Sequence, residues 1–284
     1  MKCLICNSET EYFFSKTYDE KPFDGFMKEI GEIAYYKCSN CGFTVSKTHC
    51  ELNNKQWEKL NHEYHTYIES AKTNNQRQGN PPPYFEQAVM IKILSDNGVI
   101  DRFSMLDFAG GYGTLSNILT RYFGIILHVY DPYVQAPERN IYIPKQNLSK
   151  YKTVVNSAMF EHITTRNALE ELNDCVDNDG CMILHTVICE NVPNDVRWFY
   201  LRPPVHCAFH TNKSMEILMN QWDYSVSIYC PTSKCWVLFR KGTKHIEKKI
   251  KSINMEFQKE YLYFKKGFMD YWKEAWDHEE GCSA

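Results

Sequence analysis

Met105-Leu106-Asp107-Phe108-Ala109-Gly110-Gly111-Tyr112-Gly113-Thr114 is the stretch on which the fold turns. An apolar run leads into Asp107 and a loop of small residues follows. Leu115, Ile118, Leu119 and Tyr122 then recur at helical spacing. Strand, glycine loop and helix open a nucleotide-binding α/β sheet. Outward from this unit, apolar runs at 103–108, 125–130, 153–157 and 181–187 alternate with helical segments, the pattern of a parallel sheet with crossover helices. Two further runs, 225–230 and 235–240, flank Pro231-Thr232-Ser233-Lys234 and predict a closing antiparallel hairpin. Upstream, Phe85, Val89, Ile91, Ile93 and Leu94 predict a helix after Pro81-Pro82-Pro83, with Gly98 ending it.

The loop also constrains its ligand. Asp131, in Val129-Tyr130-Asp131-Pro132, follows the loop at about 20 residues, where an acid accepts hydrogen bonds from ribose hydroxyls. Gly111-Tyr112-Gly113-Thr114-Leu115-Ser116 nearly meets the dinucleotide pattern, so an NAD-dependent oxidoreductase stands as an alternative. Asp107 weighs against it. A carboxylate at the mouth of the loop repels a diphosphate and suits a ligand carrying an ammonium and a sulfonium, as S-adenosylmethionine does. No Walker lysine pattern is present, which argues against nucleoside triphosphates.

On these residues the chain resembles the class I S-adenosylmethionine methyltransferases over roughly 84–240. Asp107, Ala109, Gly110, Gly111 and Gly113 fall on the family's acid and glycine-rich loop, with Ala109 where a glycine is usual. The resemblance implies a Rossmann-like α/β domain and a ribose held by Asp131 beside Pro132. It implies adenine contacts from the segment Gln146-Asn147-Leu148, so Asn147 and Leu148 are candidates. Ser157-Ala158-Met159-Phe160-Glu161-His162-Ile163 is similar to the family's segment after the fourth strand, which adds Ser157 to the cofactor set.

Cys3-Leu4-Ile5-Cys6 and Cys38-Ser39-Asn40-Cys41-Gly42 form two C-x-x-C pairs about thirty residues apart, the spacing of a closed, structural Zn2+ site with four thiolates. Gly42 after the second pair supplies the positive φ that turns backbone N–H groups toward sulfur, and Asn7 holds the corresponding place after the first. A redox role would need one pair rather than two. The other cysteines, among them Cys50, Cys175, Cys181, Cys189, Cys230, Cys235 and Cys282, read as reduced, small apolar residues.

Four cysteines, an aromatic-rich connector and this domain together resemble bacterial methyltransferases that modify sugars of nucleotide-linked or surface (capsular) polysaccharide pathways. Trp198-Phe199-Tyr200 and Pro204-Val205-His206-Cys207-Ala208-Phe209-His210-Thr211 are similar to the same group. Methyl transfer needs an aligned nucleophile and removal of its proton, work suited to histidine. His162, His185, His206 and His210 follow predicted strand ends; His206 ranks first on its flanking residues, then His162 and His185. Val205 stands where the ketosugar C-methyltransferases carry an acid, which favours a sugar hydroxyl over a nucleotide-ketosugar carbon as the acceptor. A cofactor-binding protein without turnover is the remaining alternative. Tyr64, His65 and Tyr67 are candidates to close over the substrate.

The expected organisation is a zinc ribbon over 1–50, a linker or lid over 51–83, the cofactor-binding domain over 84–242 and a helical tail over 243–284. In the tail Ile246, Ile250, Ile253 and Phe257 share a face, and Leu262, Phe264, Phe268, Tyr271, Trp272 and Trp276 add apolar surface for packing on the chain's own domain or for a homodimer contact. The 284 residues are 43% apolar and 24% charged with a formal net charge of -3, which argues against nucleic-acid backbones and for a small-molecule substrate. No apolar run spans a bilayer and no signal region opens the chain, so a cytoplasmic protein is expected.

Overall fold

The structure, a computed structural model, describes residues 1–73, 82–134, 140–241 and 243–271, with 69–73 and 243–244 described by backbone alone. In chain order its main elements are β1 (Thr10–Lys16), α1 (Phe23–Met27), β2 (Ile33–Cys38), β3 (Thr44–Ser46), α2 (Lys47–Glu51), α3 (Asn54–Thr73) and α4 (Tyr84–Asp96). Then follow β4 (Met105–Phe108), α5 (Thr114–Ile118), β5 (His128–Tyr130), β6 (Tyr151–Ser157), α6 (Arg166–Asp174), β7 (Val176–His185), β8 (Ile188–Cys189) and β9 (Ala208–Thr211). The chain ends with α7 (Asn212–Gln221), β10 (Val226–Cys230), β11 (Cys235–Phe239), α8 (Thr243–Phe257) and β12 (Tyr263–Lys266). Two compact units result. The first is Met1–Pro81, Phe160–Leu169 and Val187–Ser214; the second is Pro82–Met159, Glu170–Thr186 and Met215–Ala284.

The second unit is built on the sheet β12-β10-β11-β7-β6-β4-β5. β5, β4, β6 and β7 run parallel, and β11 and β10 close the sheet as the antiparallel hairpin expected from the turn at 231–234. A parallel bridge from Val129 to Tyr142 adds a strand position outside β5. From that edge to β10 the positions follow chain order 3-2-1-4-5-7-6, the Rossmann-like arrangement of class I methyltransferases, with β4 at the central switch. Its core packs Met90, Ile91 and Leu94 of α4 with Leu115, Leu119, Ile183, Ile228 and Val237, all within a few per cent of full burial. Ile246, Ile250 and Ile253 join that core from α8, as their spacing predicts.

Among the described residues the tail carries more than the expected helix. Past α8 the chain turns, and β12 pairs antiparallel with β10, which satisfies backbone groups along that edge of the sheet. Trp272 and Trp276 lie outside the described residues, as does Cys282.

The first unit differs from a ribbon over 1–50. Its sheet is β1-β2-β3-β9-β8, so two strands come from 188–211, a stretch that the sequence reading assigned to 84–242. Backbone pairing explains this: β3 is too short to be covered alone, and Val45 pairs with Ala208 and Thr44 with Phe209. Tyr35, Leu60, Tyr64, Tyr200, Leu201, Val205 and Phe209 share one core. Within the expected linker or lid, residues 54–73 form α3. Trp57, Leu60, Tyr64, Tyr67 and Ile68 recur at spacings of three and four and pack on that core, which overrides the polar composition. Residues 74–81, the polar run before the prolines, lie outside the described residues.

Candidate functional site

In the second unit, β4 delivers Asp107 to the first βα turn with the side chain 2% exposed. Its Oδ1 has no hydrogen-bond partner among the described residues. Burial, then the nearby Asp131 carboxylate, pushes its pKa up to about 8. A buried acid with an open oxygen is costly unless a cation or donor arrives, so the turn is built to receive one. Gly110 makes the geometry possible. A Cβ there would stand 2.6 Å from both Cγ and Oδ2 of Asp107, so this glycine makes room for the carboxyl itself.

The loop is held by Asp131. Its Oδ2 accepts from Gly111 N–H at 2.8 Å, and its Oδ1 accepts from Tyr133 and Val134 N–H, each at 2.8 Å. Tyr142 donates its hydroxyl to the Gly111 carbonyl at 2.8 Å. Ala109 is left-handed at φ 61°, which explains why glycine is usual there. Ala109→Gly is expected to raise the unfolding free energy by about 0.5–1 kcal/mol; a lower midpoint in chemical denaturation would show that the loop uses the methyl group.

Neighbouring strand ends add further polar groups that point to a ligand. Asn156 donates to the Phe108 carbonyl at 2.9 Å while its buried Oδ1 has no partner among the described residues. Ser157 donates to Gln87 Oε1 at 3.1 Å, which leaves Gln87 Nε2 buried and unpartnered there. His185, in register with Ser157, ends β7 with a buried Nδ1 in the same condition. Burial, then Lys234, lowers its pKa to about 4. Asn156, Ser157 and His185 stand at the carboxyl ends of parallel strands, where ligands of such sheets bind, and Gln87 reaches Ser157 from α4. Asn147 is exposed in a turn at Lys145–Asn147, with Leu148 half-buried after it, and Pro132 is exposed beside Asp131.

In the first unit the two cysteine pairs converge. Sγ–Sγ distances are 3.7 Å for Cys3–Cys41, 3.4 Å for Cys6–Cys38 and 3.6 Å for Cys6–Cys41. A tetrahedral ion at ~2.3 Å from each sulfur sets them roughly 3.8 Å apart, so Cys3, Cys6, Cys38 and Cys41 fit zinc. Asn7 at φ 58° and Gly42 at φ 72° take the left-handed conformation expected of them. Ile5 and Cys41 N–H point to the sulfurs of Cys3 and Cys38. Arg166 donates to the carbonyls of Leu4 and Ile5 at 3.2 and 3.3 Å, and the Thr211 hydroxyl donates to the Cys41 carbonyl. These bonds tie both knuckles to the discontinuous segments of the unit.

The same unit gathers histidines. The rings of His162 and His206 lie 5.1 Å apart, with His65 5.9 Å from His162. Burial lowers His206 to about 4 and holds His162 well below the ordinary imidazole range, His206 and His65 adding to the latter effect. His210, one of the four sequence candidates, is 1% exposed and wedged between Phe43 and Phe160 at 4.8 and 5.1 Å between ring centroids. It is packing rather than an accessible base, because β9 is an interior strand buried along its whole length.

No sequence-family profile and no curated protein matches the chain. Among solved structures, the plantazolicin methyltransferase BpumL with a substrate analogue and SAH shares 13% identity over 66% of this chain and 98% of its own, at a TM-score of 0.42. A possible histamine N-methyltransferase of Thermotoga maritima shares 11% over 65% of this chain and 98% of its own, at 0.39. Magnesium protoporphyrin IX methyltransferase of Synechocystis with SAH shares 13% over 66% and 87%, at 0.35. Likenesses this distant carry no argument about activity, and the fold assignment rests on the sheet order above.

Gln87 and Glu161 were not singled out from the sequence. The signal for Gln87 is a polar side chain on the buried face of an apolar helix, 1% exposed in the structure. Glu161 was legible only as part of the Glu161-His162 pair, and its 3% exposure depends on a turn that local pattern does not fix.

Proposed function

We propose that the chain is an S-adenosylmethionine-dependent methyltransferase acting on a hydroxyl of a sugar, nucleotide-linked or a surface-polysaccharide precursor. The observation that carries the cofactor reading is the buried, unpartnered Oδ1 of Asp107 beneath the glycine loop, which fits an ammonium and opposes the diphosphate of NAD. When bound, the cofactor supplies an electrophilic methyl group on sulfur. Asp107 holds the amino-acid end, Asp131 accepts from the ribose while keeping Gly111 in place, and Gly110 leaves the room that the Asp107 carboxyl needs. Support for the sugar comes from the sequence resemblance around 198–211 and from the four-cysteine module, and support for oxygen as nucleophile from Val205. The proton acceptor is sought among His206, His162 and His185, of which His185 shares the unit of the glycine loop.

Calorimetry with S-adenosylhomocysteine and NADH, followed by a mass-spectrometric screen of nucleotide sugars with labelled cofactor, tests this reading. Binding of S-adenosylhomocysteine and a labelled sugar are expected; binding of NADH in its place would sink it. Asp131→Ala removes charge-assisted bonds worth ~1.5–3 kcal/mol each and is expected to weaken the adenosyl ligand at least tenfold. Unchanged affinity would place the ribose elsewhere.

A further inference from the structure

Glu161, His162 and His206 bring one carboxylate and two imidazoles together within the first unit, apart from the four cysteines. One donor atom from each lies within 4.8 Å of the others. We propose that these three residues bind a divalent first-row transition-metal ion in a second, open metal site. The inference does not depend on the methyl-transfer reading.

The tautomers argue for it. His206 Nδ1 is 2.7 Å from the Tyr200 carbonyl, an acceptor only, so Nδ1 carries the proton and Nε2 keeps its lone pair for a ligand. A ring N–H given to a backbone carbonyl is the usual way in which a protein orients a metal-binding histidine. His162 has a buried Nδ1 with no hydrogen-bond partner among the described residues, although its ring lies near those of His65 and His206. A buried ring nitrogen without a partner is a cost that coordination removes.

The backbone holds the set in place before any ion binds. Cys207 N–H donates to the Glu161 carbonyl at 2.7 Å and thereby locks the two donor segments together. His206 N–H donates to the Pro203 carbonyl at 3.1 Å, and the Tyr35 hydroxyl donates to the His206 carbonyl at 3.1 Å. His49 Nε2–H donates to the Pro204 carbonyl at 2.9 Å. An ion about 2.1 Å from each donor draws them to roughly 3–3.5 Å apart, a small adjustment of side chains on a fixed backbone. Nitrogen and oxygen donors without sulfur favour Mn2+, Fe2+, Co2+, Ni2+ or Zn2+, and two histidines with one carboxylate leave positions open for water or a hydroxyl ligand.

The test is a calorimetric and spectroscopic titration of the zinc-loaded full-length chain with Co2+. One further equivalent of Co2+ is expected, with ligand-field bands and no thiolate-to-metal charge-transfer band. Glu161→Gln and His206→Ala are each expected to weaken it by tenfold or more, whereas the exposed His245→Ala leaves it unchanged. No second equivalent in the wild-type chain would overturn the proposal, whatever the variants do. So would a second equivalent with a thiolate band, which would mark displacement at the cysteines, or one that survives both substitutions in folded protein.

Discussion

Chelating the metal from the four cysteines, or introducing Cys38→Ser, is expected to unfold the first unit as a whole while the second still binds S-adenosylhomocysteine. A structural zinc site contributes apparent binding energies of ~10–16 kcal/mol, as large as or larger than the ~5–15 kcal/mol that holds an ordinary domain together. The knuckles are not a separate bead. Arg166 bonds to Leu4 and Ile5, Thr211 bonds to Cys41, and β3 shares its ladder with β9. Loss of an ion held by these cysteines would therefore remove the anchor of three chain segments. Hydrogen exchange read by mass spectrometry checks this: peptides from 160–169 and 187–214 should lose protection together with those from 1–68. Protection that persists in 187–214 while 1–50 unfolds would restore the division expected from sequence.

The two outcomes separate what local pattern carries from what it cannot. The glycine loop, the hairpin after Pro231 and the cysteine knuckles were legible because each is fixed within a few residues: Gly113 at φ 68°, a four-residue turn, Gly42 and Asn7 in left-handed backbone. The helix at Tyr84–Asp96 was legible from apolar spacing and a following glycine at φ 61°. The discontinuous first unit was not, since the pairing of Val45 with Ala208 joins residues that no local window contains. α3 was hidden for a different reason. Its Lys, Glu and Asn content resembles a connector, and only the spacing of Trp57, Leu60, Tyr64 and Tyr67 shows the buried face. At the candidate sites, residue types were legible but roles were not. Gly110 reads as a ligand contact in the sequence and proves to be the space into which Asp107 fits. His210 sits in the same motif as His206, yet β9, buried along its length, sets one between phenylalanines, and the loop leaves the other only partly buried beside His162.

Affinity for S-adenosylhomocysteine is expected to rise with pH up to about 8 and to do so through one residue. Asp107 is held up to about 8 by burial, with Asp131 adding to the effect, against 3.8 in an open chain. The folded state therefore binds the proton more tightly than the unfolded one. The sign follows from linkage: the ligand-free chain is most stable at low pH with respect to this group, and loses that stability as pH rises from about 4 toward 8. A ligand ammonium needs the carboxylate, so binding near neutrality expels the proton, and each pH unit below 8 weakens the complex by a factor approaching ten. Asp107→Asn keeps the shape and removes the charge. It is expected to bind on the order of tenfold or more weakly at pH 8, to lose the pH dependence between 6 and 8, and to be more stable than the wild type when empty at pH 8. Calorimetry across that range, in buffers of different ionisation enthalpy, measures both the affinity and the proton released. A flat profile in the wild type, or an asparagine variant that binds as tightly at pH 8, would mean that the buried carboxyl does not meet the ligand's charge.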